Sequence, residues 1–128
     1  MSVRIIIQNN LGVNIEDIFE KILYKLYIEE KFSENYNKQK EIINKENSKY
    51  NFPEDIDKNF ICPISYDIFY DPVITSDGQT YEKMEILRWF MEGNETSPLT
   101  GKKLENLEIF PNIILKNIIN DWKKQYLK

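Results

Sequence analysis

Between Phe60 and Trp122 the chain is punctuated by Pro63, Pro72, Gly78, Gly93, Pro98, Gly101 and Pro111. Apolar runs there stay short, which predicts a fold built largely of loops. Folds of that kind bury little and are commonly held by disulfides or zinc. This chain has one Cys and no His in 128 residues, so a disulfide framework is excluded and almost no zinc-ligating capacity is left. The loops must be held by hydrogen bonds, ion pairs and a small apolar core, each contact contributing about 1 kcal/mol or so.

The length allows one compact module plus an extension. With 17 basic and 21 acidic residues the net charge is −4, which offers no broad footprint for nucleic acid or an anionic membrane. The run Val3 to Ile7 is too short, and too soon interrupted by Gln8, to be a signal-peptide core, and no segment reaches membrane-spanning length. A reducing setting, cytoplasmic or nuclear, is expected.

Asn14 is placed to cap a helix whose Ile15, Ile18, Phe19, Ile22, Leu23, Leu26 and Tyr27 make an apolar stripe, with Glu16, Asp17, Glu20, Lys21 and Lys25 opposite. From Lys31 the pattern weakens, which predicts a helix fading into a linker that ends near Pro53. Beyond Phe60, Val73 to Thr75 and Thr80–Tyr81 flank a turn and predict a hairpin. A short helix over about Lys83 to Glu92 follows, stopped by Gly93. A loop from Asn94 to Lys103, an extended stretch from Leu104 to Phe110 and a last helix capped by Asn112 complete the chain.

This order resembles the U-box family, the zinc-free relative of the RING finger. The matching residues are Phe60, Cys62, Pro63, Ile64, Asp71, Pro72, Val73, Asp77, Gly78, Thr80, Tyr81, Ile86, Trp89, Phe90, Ser97, Pro98, Thr100, Leu104, Pro111, Asn112, Leu115, Ile119 and Trp122. The resemblance implies an α+β fold with two loops, a small antiparallel sheet, a central helix and a C-terminal helix, preceded here by an amphipathic helix. Residues 1–55 would be the extension and 56–128 the U-box. The polar residues expected to brace the loops are Ser65, Asp71, Thr75, Ser97, Thr100 and Asn112, with Asp71 foremost because a carboxylate can accept several backbone N–H bonds.

The resemblance also implies a ubiquitin ligase that binds a ubiquitin-charged conjugating enzyme and promotes transfer to a substrate lysine, with no nucleophile and no cofactor of its own. By motif match, Ile64, Tyr66, Trp89 and Pro98 would line the docking groove. Ile64 or Tyr66 could instead be packed locally, Trp89 could be a core residue on its helix face, and Pro98 could simply stiffen a turn. In many family members an arginine follows the residue matching Thr100 and holds the reactive closed state; here that position is Gly101. The alternative is therefore a non-catalytic module that docks conjugating enzymes or other U-boxes without promoting transfer.

Two further signals carry no chemistry. Cys62 has no histidine to act as its base, and Asn94-Glu95-Thr96 is a glycosylation triplet without a secretory context. The stripe from Ile15 to Tyr27 is open to three uses: extending a homodimer, packing on the domain or holding substrate.

Overall fold

The computed structural model describes residues 14–128 of the chain, so the Val3–Ile7 run lies outside the described residues. Two compact units are present, one up to Lys38 and one from Gln39 to Lys128. Helix α1 spans Ile15–Asn47. Asn14 caps it as expected, its side-chain oxygen accepting from Asp17 N at 3.1 Å. The helix does not fade at Lys31. No Gly or Pro occurs between Val13 and Phe52, Lys, Glu and Gln are good helix formers, and the Lys25–Glu29 and Lys31–Glu34 pairs add support on the surface. In the first unit Ile18, Phe19, Ile22, Leu23, Leu26 and Tyr27 are all exposed. Among the described residues no helix is long and apolar enough to cross a membrane.

In the second unit a 3-10 turn over Lys58–Phe60 leads into a sheet of three short antiparallel strands. Strand β1 (Pro72–Ile74) is central, with β2 (Thr80–Glu82) on one side and β3 (Phe110–Pro111) on the other. Val73 stands opposite Tyr81 in β2 and Pro111 in β3. The expected extended stretch from Leu104 contracts to those two β3 residues, because only they reach the free edge of β1.

Helix α2 (Lys83–Met91) follows β2 without a break and ends at Gly93, whose φ of +92° is the left-handed stop that favours glycine. Helix α3 (Ile113–Lys123) is capped by Asn112, whose side-chain oxygen accepts from Leu115 N at 3.2 Å. Cys62, Phe69, Val73, Tyr81, Ile86 and Ile119 form the core. Fully burying a Val, Ile or Phe contributes about 1.5–3 kcal/mol, so a core this small leaves much of the ordering to polar contacts.

Candidate functional site

Cys62–Asp67 forms loop 1. Cys62 N donates to Asp67 O at 2.9 Å, Tyr66 N donates to Cys62 O at 2.8 Å, and Asp67 N donates to Ser65 Oγ at 3.3 Å. Closing so tight a ring forces Tyr66 to a φ of +61°, the only positive value at a non-glycine among the described residues. That conformation costs an L-residue roughly 1–2 kcal/mol. It also turns the Tyr66 side chain outward, 80% exposed. Tyr66 is thus an exposed aromatic at the tip of a braced loop.

Ser97–Lys102 forms loop 2 and repeats this geometry. Ser97 N donates to Lys102 O at 2.8 Å, Gly101 N to Ser97 O at 2.9 Å, and Lys102 N to Thr100 Oγ1 at 3.2 Å. Gly101 takes the left-handed place of Tyr66, at φ +71°. Isolated bridges close the two loops at their bases, Ile61 with Ile68 and Thr96 with Lys103.

Strand β2 holds both loops through consecutive residues. Glu82 N donates to Cys62 Sγ at 3.3 Å on the loop 1 side, and the Tyr81 hydroxyl bonds Ser97 Oγ at 3.1 Å on the loop 2 side. The Glu82 carboxylate accepts from Tyr70 N and Asp71 N, fixing the strand that leaves loop 1. Burial pushes the Glu82 carboxyl above the usual glutamate range, although those two N–H groups pull it back. Burial likewise raises the Tyr81 phenol, which stays neutral and able to donate. At the hairpin, Asp77 is also pushed upward by burial, but hydrogen bonds from Thr75 and Gln79 outweigh this and hold it below the usual range.

Ile64 is half-buried against the core from loop 1, and Trp89 is half-buried against the same core from α2. Trp89 Nε1 donates to Thr96 O at 2.7 Å, which ties α2 to the base of loop 2. Pro98 is half-buried in loop 2. Ile64, Tyr66 and Pro98 thus sit on loops anchored to one strand, with α2 continuing from that strand.

Of the bracing residues, Ser65, Ser97 and Thr100 accept within the loops, Thr75 donates to Asp77, and Asn112 donates to Thr80 Oγ1 at 3.1 Å. Asp71 takes part through its main chain, and the carboxylate that gathers backbone N–H groups is Glu82.

Leu99 escaped notice in the sequence. It occupies in loop 2 the place of Ile64 in loop 1, and it is 51% exposed. The signal was available as two parallel strings, Cys-Pro-Ile-Ser-Tyr-Asp and Ser-Pro-Leu-Thr-Gly-Lys. Cys62 is fully buried, with its sulfur accepting from Ile64 N and Glu82 N, so it is sealed from any substrate. Among the described residues no three His, Cys, Asp or Glu side chains converge as a metal site.

A family model for the U-box domain matches residues 56–127. The chain is similar to U-box domain-containing protein 56 of Arabidopsis thaliana, 48% identical over 67 residues, which are 52% of this chain and 18% of that protein. U-box domain-containing protein 17 of the same plant is 51% identical over 67 residues, 52% of this chain and 9% of that protein. A protein of Acanthamoeba polyphaga mimivirus, named as a probable bifunctional E2/E3 enzyme, is 45% identical over 86 residues, 65% of this chain and 6% of its own length. The chain therefore spans less than a fifth of the length of these relatives. Since the family match covers more than half of the chain, residues 56–127 are a U-box domain and the protein is a member of the U-box family.

Proposed function

We propose that this protein is a ubiquitin ligase that docks a ubiquitin-charged conjugating enzyme on loop 1, α2 and loop 2, through Ile64, Tyr66, Trp89 and Pro98, with Leu99 alongside. The observation that carries this reading is Tyr66, held outward in a left-handed conformation by the hydrogen bonds of loop 1. The family membership and the relative named as an E2/E3 enzyme support it. The chemistry is positional. With Cys62 buried, the domain supplies no nucleophile; it brings a substrate lysine near the thioester and favours a closed arrangement of the bound ubiquitin, which are proximity and population-shift effects. Cytoplasm or nucleus is the setting assigned, in keeping with a lone free cysteine. The exposed apolar face of α1 in the first unit is assigned to a second copy of the chain or to the protein substrate.

Gly101 favours a second reading, a module that docks without promoting transfer, because glycine offers no donor where arginine would bridge the enzyme to ubiquitin. An in vitro ubiquitination assay across a panel of conjugating enzymes separates the two. Chain formation that disappears with Ile64→Ala supports the ligase. Binding without transfer supports the module, and no binding to any enzyme of the panel overturns both.

A further inference from the structure

The family match begins at residue 56, yet the compact unit begins at Gln39. The intervening segment is stitched into the domain at both ends. Near residue 50, Asn51 N donates to Tyr126 O at 2.7 Å, and Phe52 stacks on Trp122 with ring centroids 5.7 Å apart. At the other end, on α1, Lys40 Nζ lies 3.0 Å from Glu85 Oε1 and 3.8 Å from Asp67 Oδ2. Glu85 belongs to α2 and is 2% exposed, and its second oxygen lies 3.1 Å from Arg88 Nη2. Asp67 closes loop 1, its main-chain oxygen accepting from Cys62 N.

One ammonium group therefore spans the two elements that would carry Ile64, Tyr66 and Trp89. Arg88 already holds the other Glu85 oxygen, so losing the Lys40 ammonium removes the charge that draws Asp67 toward α2. A cavity of about 50 Å³ lined by Lys40, Ile43, Asn44, Ser65, Asp67 and Ile68, among others, lies beside this contact. Asp67 is well exposed, and its carboxylate is free to swing into water when the ammonium is removed.

We propose that Lys40 is a positioning residue for conjugating-enzyme docking: it holds the Asp67 end of loop 1 against Glu85 of α2 and so fixes the spacing of the docking surface before the enzyme arrives. This rests on the docking reading above. Its benefit is preorganisation, since a loop already in place loses less freedom on binding.

The test uses the full chain and Lys40→Gln, which keeps much of the stem and removes the charge. In the protein alone, hydrogen exchange at Cys62 N and Tyr66 N speeds up while exchange in α2 does not; unchanged exchange in loop 1 overturns the clamp. With the conjugating enzyme selected by the panel, affinity falls by about three- to tenfold, the transfer rate at saturating enzyme is unchanged, and Lys40→Arg restores binding. In an Asp67→Asn background, Lys40→Gln has little further effect on affinity. Full additivity there, or equal affinity of parent and Lys40→Gln despite faster exchange, overturns the positioning role. If the parent binds no conjugating enzyme, the docking reading fails, and the role assigned to Lys40 fails with it; hydrogen exchange still reports separately on the clamp.

Discussion

Loops 1 and 2 have the same hydrogen-bond plan and different chemistry at three of its points. At the anchor, loop 1 has Cys62, a weak sulfur acceptor sealed in the core, and loop 2 has Ser97, whose hydroxyl accepts from Leu99 N and Thr100 N and bonds the Tyr81 hydroxyl. At the apolar position Ile64 packs on the core, and Leu99 is half open to water. At the left-handed position loop 1 tolerates Tyr66 and loop 2 has Gly101. Loop 1 thus accepts strain to display a large aromatic, and loop 2 avoids strain and displays nothing there. The same backbone ring, which a pair of zinc ions would otherwise stabilise, is made once with an exposed aromatic at its left-handed position and once with glycine.

The largest way to break this pairing is at the anchors. Ser97→Ala removes the acceptor of two loop N–H groups and the partner of a buried phenol, and is expected to cost about 2–3 kcal/mol in urea denaturation; Cys62→Ser, which keeps an acceptor, is expected to cost about 1 kcal/mol. Equal losses would show that sulfur and hydroxyl anchors are interchangeable.

Next comes the apolar pair. Ile64→Ala is expected to weaken conjugating-enzyme binding by about 2 kcal/mol, roughly 30-fold, and Leu99→Ala by less than about 1 kcal/mol, as read by titration calorimetry. The left-handed pair gives a smaller effect in stability. Gly101→Arg is expected to lower stability by about 1 kcal/mol, because an L side chain at φ +71° is strained, while single-turnover discharge of ubiquitin speeds up and docking affinity stays the same. A discharge rate that does not change would place control of the closed state elsewhere.

The smallest effect separates the loops by pH. Glu82 has a folded pKa above its ordinary value, so the folded state holds that proton more tightly than the unfolded chain. Stability is therefore gained as pH falls from neutral through the raised folded pKa toward the ordinary glutamate range, and lost as pH rises through it. Asp77, with a depressed pKa, acts in the opposite sense at lower pH, contributing stability above the ordinary aspartate range that is lost as pH falls through its folded value. Thermal melts should show a rise on mild acidification that Glu82→Gln flattens. Tyr81, neutral throughout, leaves the loop 2 anchor unaffected over that window.

Local signals made most of the domain legible. The hairpin, the Gly93 stop and the Asn112 cap depend on the chain within a few residues, and each lies where turn and capping chemistry puts it. The motif around Ile64 and Tyr66 placed both in loop 1, though not the outward turn of Tyr66, which follows from closure of the loop 1 ring. Asp71 and Glu82 divide the other way. Both are acidic residues in the right region, and nothing local says which carboxylate folds back onto the chain. That depends on β2 pairing with β1, which brings Glu82 beside Tyr70 N and Asp71 N, eleven or twelve residues away.

Taken by itself, the sequence determined that this protein is a loop-rich U-box held without disulfides and with almost no zinc ligands, because the residue types for those supports are missing from the chain. Only the tertiary structure decided how far the first helix runs and which distant charges meet. The weak apolar pattern after Lys31 reads as linker, and its helical continuation to Asn47, with Lys40 reaching Glu85 and Asp67, rests on charges separated by up to 45 positions that only folding brings within 4 Å. Periodicity reports which face of an element is apolar; it does not report which distant carboxylates a lysine will meet.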